Sequence, residues 1–473
     1  MKLQAGQHVF LVGIGGSGLS AIARVLLGQG YKVSGSDRNL NSLTDALERD
    51  GATIYKGHDV AQIKGADALI ITSAVKDDHV EVAAAKLAGI PVYKRQDIMA
   101  DLIEGKTVIA VAGTKGKTTT TSMIVHILRE CGQDPSYIVG GIMGNTGTNA
   151  GVGEGDAFVV EADEYDNMFL GLKPDIAVIT NIEWDHPDFF KTPEDMVESF
   201  RKFVDQLATG AFGPWWFITY AAQSTTLDLL RYVDEKRFRT SAYGLESQTR
   251  ADIVATNIEY KADGKTYFDV KYRLRDSVFK DVGKVTLSIP GTHNVMNALA
   301  AMLVVDLLGV KFVDAAKELE TFKPTARRFD IRADVKGIAI VDDYAHNPMS
   351  IKAVIEAAKQ RYPDREVWAV WQPHTYSRTQ ALFDQFVTAF DQADHVLITD
   401  IYAAREAPIE GVNSAAVVKA IQHQDVRHTP TFAHVVDVLR NEVHSPAVII
   451  IMSAGDAPEI GVAYLKTLEE ASA

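Results

Sequence analysis

The sequence predicts an α/β protein of three domains, each built on a mostly parallel sheet flanked by helices. Three observations carry this. The chain has 473 residues, and at about 150 residues per domain that leaves room for three. Short apolar strands alternate with helical periodicity from end to end. Glycine-rich turns join a strand to a helix at residues 13–18 and again at 113–116.

The first unit opens with a strand at residues 8–12, a glycine turn, and a helix carrying apolar positions Leu19, Ile22, Ala23 and Leu26. Strands at 31–34 and 68–71 follow, and the segment 89–97 completes a domain over residues 1–105. The second unit, residues 106–323, starts with a strand at 107–112, a second glycine turn and a helix. It continues with strands at 157–160 and 176–180 and an alternating stretch at 252–287 that reads as antiparallel strands. A helix at 294–308 closes it, while residues 210–220 carry no clear pattern. The third unit, residues 324–473, has strands at 338–341, 366–371, 396–399 and 448–452 with helical patterns between them.

Composition narrows the function. Hydrophobic residues make up 47% and charged residues 23% of the chain, ordinary values for a globular protein. A net charge of −14 gives no basic field, which argues against nucleic acid as a partner. The lone cysteine, Cys131, excludes an intramolecular disulfide and a cysteine-rich metal site, as expected of a reducing compartment. No apolar run reaches the length of a membrane span or fits a cleaved leader. The expectation is a cytoplasmic protein with no membrane partner.

Gly13-Ile14-Gly15-Gly16-Ser17-Gly18 satisfies G-x-G-x-x-G between a strand and a helix. Such a turn brings backbone N–H groups and a helix N-terminus up to a phosphate. Asp37, after the next strand, is placed to accept from a ribose hydroxyl. The motif suggests a nucleotide diphosphate and is equally compatible with a dinucleotide dehydrogenase. Gly113-Thr114-Lys115-Gly116-Lys117-Thr118-Thr119 is more specific, although Val111 stands where the full phosphate-loop pattern has its first glycine. Here Gly116-Lys117-Thr118 supplies close backbone approach, a cation for β/γ oxygens and a hydroxyl for Mg²⁺. Two acidic strand ends lie downstream, Glu161-Ala162-Asp163-Glu164-Tyr165-Asp166 and Asn181-Ile182-Glu183-Trp184-Asp185-His186-Pro187-Asp188. One alone would read as a solvated loop. Both, following a phosphate loop, favour a metal–phosphate site.

With these residues assembled, the chain resembles the Mur ligase family over nearly its whole length. The specific stretches include residues 13–18, 112–121, 161–166, 180–188, 291–301, 327–329, 342–348, 372–379 and 400–406. The resemblance implies a Rossmann-like N-terminal domain for a UDP-sugar, a P-loop-type central domain for ATP, and a Rossmann-like C-terminal domain for an amino acid. Gly15, Gly16, Ser17 and Gly18 would cradle the UDP pyrophosphate, with Asp37 and Ser73 beside the nucleotide sugar. The loop Gly113, Thr114, Lys115, Gly116, Lys117, Thr118 and Thr119 would bind ATP, with His293 and Asn294 near adenine and Arg328 and Asp343 reaching phosphates and ribose. Thr118, Glu161 and His186 match the Mg²⁺ ligands of the family. Tyr344, His374 and Arg378 match positions at the amino acid, and Lys117, Glu161, His186, His346 and Arg378 the catalytic set.

Within the family, residues 13–19, 34–37, 372–379 and 400–406 are most similar to members that join L-alanine to UDP-N-acetylmuramate in peptidoglycan precursor synthesis. Other features depart from those members. Lys115 stands where they usually have histidine, Ala345-His346-Asn347-Pro348 replaces Gly-His-His-Pro, and residues 161–166 resemble the ligase that recycles a tripeptide onto the same acceptor. The expected substrates are therefore UDP-N-acetylmuramate, ATP and either L-alanine or another amine such as that tripeptide. The implied chemistry is γ-phosphoryl transfer to a carboxylate, attack of the amine on the acyl phosphate, and release of ADP and phosphate. Hinges are expected near residues 104–106 and 323–326.

Overall fold

A computed structural model describes residues 4–72, 75–187, 189–209, 215–236, 238–261, 263–273, 278–404 and 406–470. Three sheets follow one another along the chain. The first has five parallel strands in the order Thr53–Lys56, Lys32–Asp37, His8–Val12, Ala68–Ile71, Val92–Lys94. Its central strand is apolar along its length because helices cover both faces: Val9, Phe10, Leu11 and Val12 are fully buried.

The second sheet has ten strands. Its core is parallel, with Thr107–Ala112 between Ile176–Ile179 and Ala157–Glu161. Trp216–Tyr220 and Arg239–Leu245 extend it on one side. The alternating stretch forms Ile253–Tyr260, Thr266–Tyr272 and Lys280–Leu287, antiparallel to one another as expected, although the first joins its other neighbour in parallel. The unplaced segment 210–220 contributes the strand Trp216–Tyr220; residues 210–214 lie outside the described residues. The third sheet runs Asp330–Val335, Ile338–Asp343, Ala447–Met452, Glu366–Trp371, His395–Ile398, Val426–His428, parallel except for its first strand.

Two strand ends differ from the sequence reading. Asp37 and Glu161 are the last residues of their strands, not the residues after them. Each therefore leaves the sheet at its carboxyl edge, where open α/β sheets bind ligands.

The units are packed together. One apolar core runs from Leu11 and Ile22 of the first unit to Phe158, Phe200 and Phe203 of the second. Phe169 stacks on Phe203 with ring centroids 4.7 Å apart. Trp184, just past the second strand end, packs against both this core and that of the third unit. No helix among the described residues is long and apolar enough to cross a membrane.

Candidate active site

The second glycine turn is dictated by crowding. Gly113 has φ +126°, and a Cβ there would lie 2.2 Å from Thr180 Oγ1. Gly116, immediately before the helix Lys117–Glu130, has φ +84°, and a Cβ would meet Asn297 Oδ1 at 2.5 Å. Only glycine fits both conformations and approaches. The loop is fastened to the neighbouring strand end. Thr114 N–H donates to Asn181 O (3.0 Å), Lys115 N–H to Asn181 Oδ1 (2.9 Å), and Thr114 Oγ1 to Glu183 O (2.8 Å). The helix thus presents its first amides beside a preset loop, an anion-binding arrangement.

Lys117 turns back over this loop. Its Nζ donates to Gly113 O at 2.6 Å and to both oxygens of Glu164 at 3.0 and 2.8 Å. Glu164 is 1% exposed. Burial disfavours the ammonium, but Glu164, Asp163 and Glu161 outweigh it and hold the lysine pKa above its ordinary value. One residue on, Thr118 Oγ1 donates to Glu161 Oε1 at 3.0 Å, and the other carboxylate oxygen accepts Gly140 N–H at 2.6 Å. Thr118 and Glu161 are thus brought together as hard oxygen donors of the kind Mg²⁺ takes. His186 Nε2 faces Glu164, the partner of Lys117, at 3.8 Å. Its φ of +55° is unusual for a side-chain-bearing residue, and its N–H is held by Asp185 Oδ1 at 2.8 Å.

Asp185 was not singled out by the sequence, yet it joins the three parts of the site. Its carboxylate is 4% exposed. It accepts from Lys115 Nζ of the phosphate loop at 2.9 Å and from Arg378 of the third unit, Nε at 3.3 Å and Nη2 at 3.2 Å. Burial alone would raise its pKa, but Lys115 and Arg378 hold it well below the usual carboxylate range.

Arg378 Nη1 also donates to His374 Nδ1 at 2.9 Å. A guanidinium only donates, so His374 Nδ1 carries the lone pair and its proton sits on Nε2. His346 is the reverse. Its Nδ1 lies 2.8 Å from Tyr344 O, a group that only accepts, so Nδ1 carries the proton and Nε2 the free lone pair. Burial, then Arg378, lowers both imidazoles, His374 to about 4 and His346 well below its ordinary value. Both are neutral at pH 7.

Tyr344 lies under Arg327 and Arg328, whose guanidinium carbons are 5.2 and 5.1 Å from its ring. Asp343 faces inward: its oxygens accept Phe329 N–H at 2.7 Å and Ala345 N–H at 2.8 Å. It therefore shapes the loop bearing Arg328. His293 is exposed at the start of the helix Thr292–Leu307. Asn294 bonds Pro290 O at 2.6 Å and accepts from Asn297, which in turn accepts from Thr120. The start of that helix is thereby tied to the phosphate-loop helix. Next to it opens a cleft of about 600 Å³ lined by Pro290, Phe322, Pro324, Phe329 and Arg361.

The first glycine turn lies at the carboxyl edge of the first sheet. Gly15 N–H donates to Asp37 Oδ2 at 2.9 Å, so Asp37 closes the turn. Gly16 precedes the helix Ser17–Gly28, and a Cβ on Gly18 would lie 1.8 Å from Arg95 Nη1. Arg95, absent from the sequence reading, spans from this turn to Asp163 (3.8 Å) and Met168 of the second unit. Ser73 lies outside the described residues.

Comparison with known proteins agrees with this architecture. The Mur ligase family catalytic domain matches residues 8–107, the Mur ligase middle domain residues 111–305, and the Mur ligase glutamate ligase domain residues 327–455. The chain is 41% identical to the UDP-N-acetylmuramate–L-alanine ligase of Roseiflexus sp. (strain RS-1), over 98% of this chain and 99% of that one. Among solved structures it is similar to the UDP-N-acetylmuramate–alanine ligase of Thermotoga maritima, with TM-score 0.81, 26% identity, and 98% and 99% of the two chains covered. It is also similar to a murein peptide ligase of Psychrobacter arcticus, with TM-score 0.73, 25% identity and the same coverage.

Because Glu164 is buried against Lys117, the two substitutions should be coupled. Lys117→Ala should abolish ADP release and also destabilise the protein by about 3 kcal/mol, since it takes the ammonium partner from a buried carboxylate. Adding Glu164→Gln should restore the melting temperature without restoring ADP release. Calorimetry and a coupled ADP assay on the three variants check both halves.

Proposed function

The chain belongs to the Mur ligase family, and from that premise we infer an ATP-dependent ligase that joins L-alanine to the carboxylate of UDP-N-acetylmuramate through an acyl phosphate. The observation that carries the assignment of roles is the convergence of Lys115, Asp185, Arg378, His346 and His374 at the junction of the second and third units. The division of labour follows the three sheets: residues 1–105 for the UDP-sugar, 106–323 for ATP, and 324–473 for the amino acid.

A carboxylate is a poor acylating agent because its leaving group is oxide-like, and phosphorylation supplies a better one. Carboxylate and γ-phosphate repel each other, so local cations must offset their charge. Lys117 exchanges Glu164 for the β/γ oxygens, and His186, 3.8 Å from Glu164, remains as that carboxylate's second partner. Thr118 and Glu161 suit a Mg²⁺ ion by donor type and proximity. His186, the third member of the set that the resemblance implies, faces Glu164 in this structure. Bound there, the ion would neutralise charge on the phosphoryl oxygens. Gly15–Gly18 and Arg95 line the route from the UDP-sugar turn to the acidic loop, and Arg95 supplies a cation for the diphosphate or the reacting carboxylate.

The incoming amine arrives as an ammonium and must lose a proton before it attacks. His346 Nε2 holds the only lone pair of the two facing imidazoles not already taken by a protein donor, since His374 Nδ1 is occupied by Arg378. We assign proton acceptance to His346, and orientation of the amino acid to the His374 Nε2–H, Arg378 and Tyr344. Closing the third unit on Asp185 keeps water from the acyl phosphate.

Phosphate release with UDP-N-acetylmuramate and ATP should require L-alanine, while the tripeptide L-alanyl-γ-D-glutamyl-meso-diaminopimelate should give none; the reverse preference would reassign the amine. His346→Asn should lower kcat by about a hundredfold. The pH profile carries a definite sign. Because burial holds the His346 pKa below its ordinary value, wild-type turnover is level near neutrality and falls as acid protonates the imidazole. The Asn variant should lack that limb.

A further inference from the structure

The first unit holds a side-chain cluster that the ligase reaction does not use. Glu81 is fully buried (0% exposed), at the start of the helix Val80–Leu87. Two imidazoles approach it: His58 Nδ1 at 3.1 Å and His79 Nδ1 at 3.8 Å from the same oxygen, Oε2. Ser36 Oγ donates to that oxygen at 2.7 Å and lies 2.9 Å from His58 Nδ1. His79 Nδ1 accepts Glu81 N–H at 3.3 Å, so an ion bound through Nδ1 would take the lone pair that caps the helix in the metal-free protein. The two rings meet edge to face, 4.5 Å between centroids. Among the described residues this is the one group of three histidine, cysteine or carboxylate side chains whose donor atoms all lie within 4.8 Å of one another.

A tetrahedral ion with bonds of about 2.0–2.1 Å places its ligand atoms about 3.4 Å apart. The distances of 3.1 and 3.8 Å bracket that value, with the Ser36 hydroxyl or a water for the fourth position. Two imidazoles and one carboxylate suit zinc and its first-row neighbours and do not suit Mg²⁺, which prefers oxygen. Besides the imidazoles the buried carboxylate meets the neutral donors Ser36 Oγ and Asp59 N–H (3.4 Å), and a bound cation would compensate its charge.

We propose that His58, His79 and Glu81, beside Ser36, form a binding site for a divalent transition-metal ion of the zinc class. Ser36 directly precedes Asp37, whose carboxylate closes the first glycine turn, so an ion here sits one residue from that turn. The inference stands independently of the ligase reading.

Co²⁺ reports tetrahedral coordination through visible ligand-field absorption. The full chain, titrated with Co²⁺ in excess Mg²⁺ to occupy oxygen-only sites, should develop these bands with one equivalent. Zn²⁺ should then bleach them. His79→Asn keeps a side chain able to cap the helix and His58→Gln leaves Glu81 in place, so both should fold, as judged by unchanged circular dichroism. Each should weaken Co²⁺ binding by about a hundredfold. Absence of tetrahedral bands in the wild-type protein, or unchanged affinity in both variants, would overturn the site.

Discussion

An ammonium and a carboxylate, both nearly removed from water, set the terms for the rest of this molecule. Lys117 must be charged for the phosphate-binding role proposed for it, and it lies on the first turn of a helix whose following residues are buried. Burial alone would lower its pKa. Glu164 prevents this, but as a residue 1% exposed it depends equally on Lys117. The glycines at 113 and 116 follow from the same constraint, because the loop must pass close enough to Thr180 and Asn297 for the lysine to reach back over it.

The same logic extends outward through Asp185. Its burial would be unfavourable with one cation and is sustained by two, one from the phosphate loop and one from the third unit. That arrangement makes the junction of the units an electrostatic contact as well as the apolar one made by Trp184. Backbone strain collects at the same junction. His186, Arg327, Phe329 and Thr375 all have positive φ without being glycine, and each adjoins a residue that faces the site. Strain of this kind persists where surrounding contacts over-determine the loop, as Asp185, Asp343 and Thr375 Oγ1 do through their bonds to backbone amides.

Much of this was legible in the chain. Strands buried on both faces, such as His8–Val12 and Glu366–Trp371, appear as continuous apolar runs, and the glycine turns mark where helices begin. The edge strands Asp330–Val335 and Val426–His428 were not visible, because half-exposed edges carry no such run. Within the site, Thr118 and Glu161 were legible as a pair because both sit at fixed offsets from a glycine turn or strand end. The tie from Asp185 to Arg378 was not, since it closes 193 residues of chain and nothing local marks it. Nor could spacing show that His186 would face Glu164 instead of Glu161, or that Arg95 would lie across Gly18. Asp37 was read as following its strand; it is that strand's last residue, and its carboxylate accepts Gly15 N–H.

The central claim is that the terminal phosphate of ATP passes to a carboxylate before the amide forms. Placing 18-O in both carboxyl oxygens of UDP-N-acetylmuramate and analysing the liberated orthophosphate by mass spectrometry tests it directly. Transfer through an acyl phosphate leaves one labelled oxygen in each phosphate released. Unlabelled phosphate, formed at the same rate as the amide, would contradict the account.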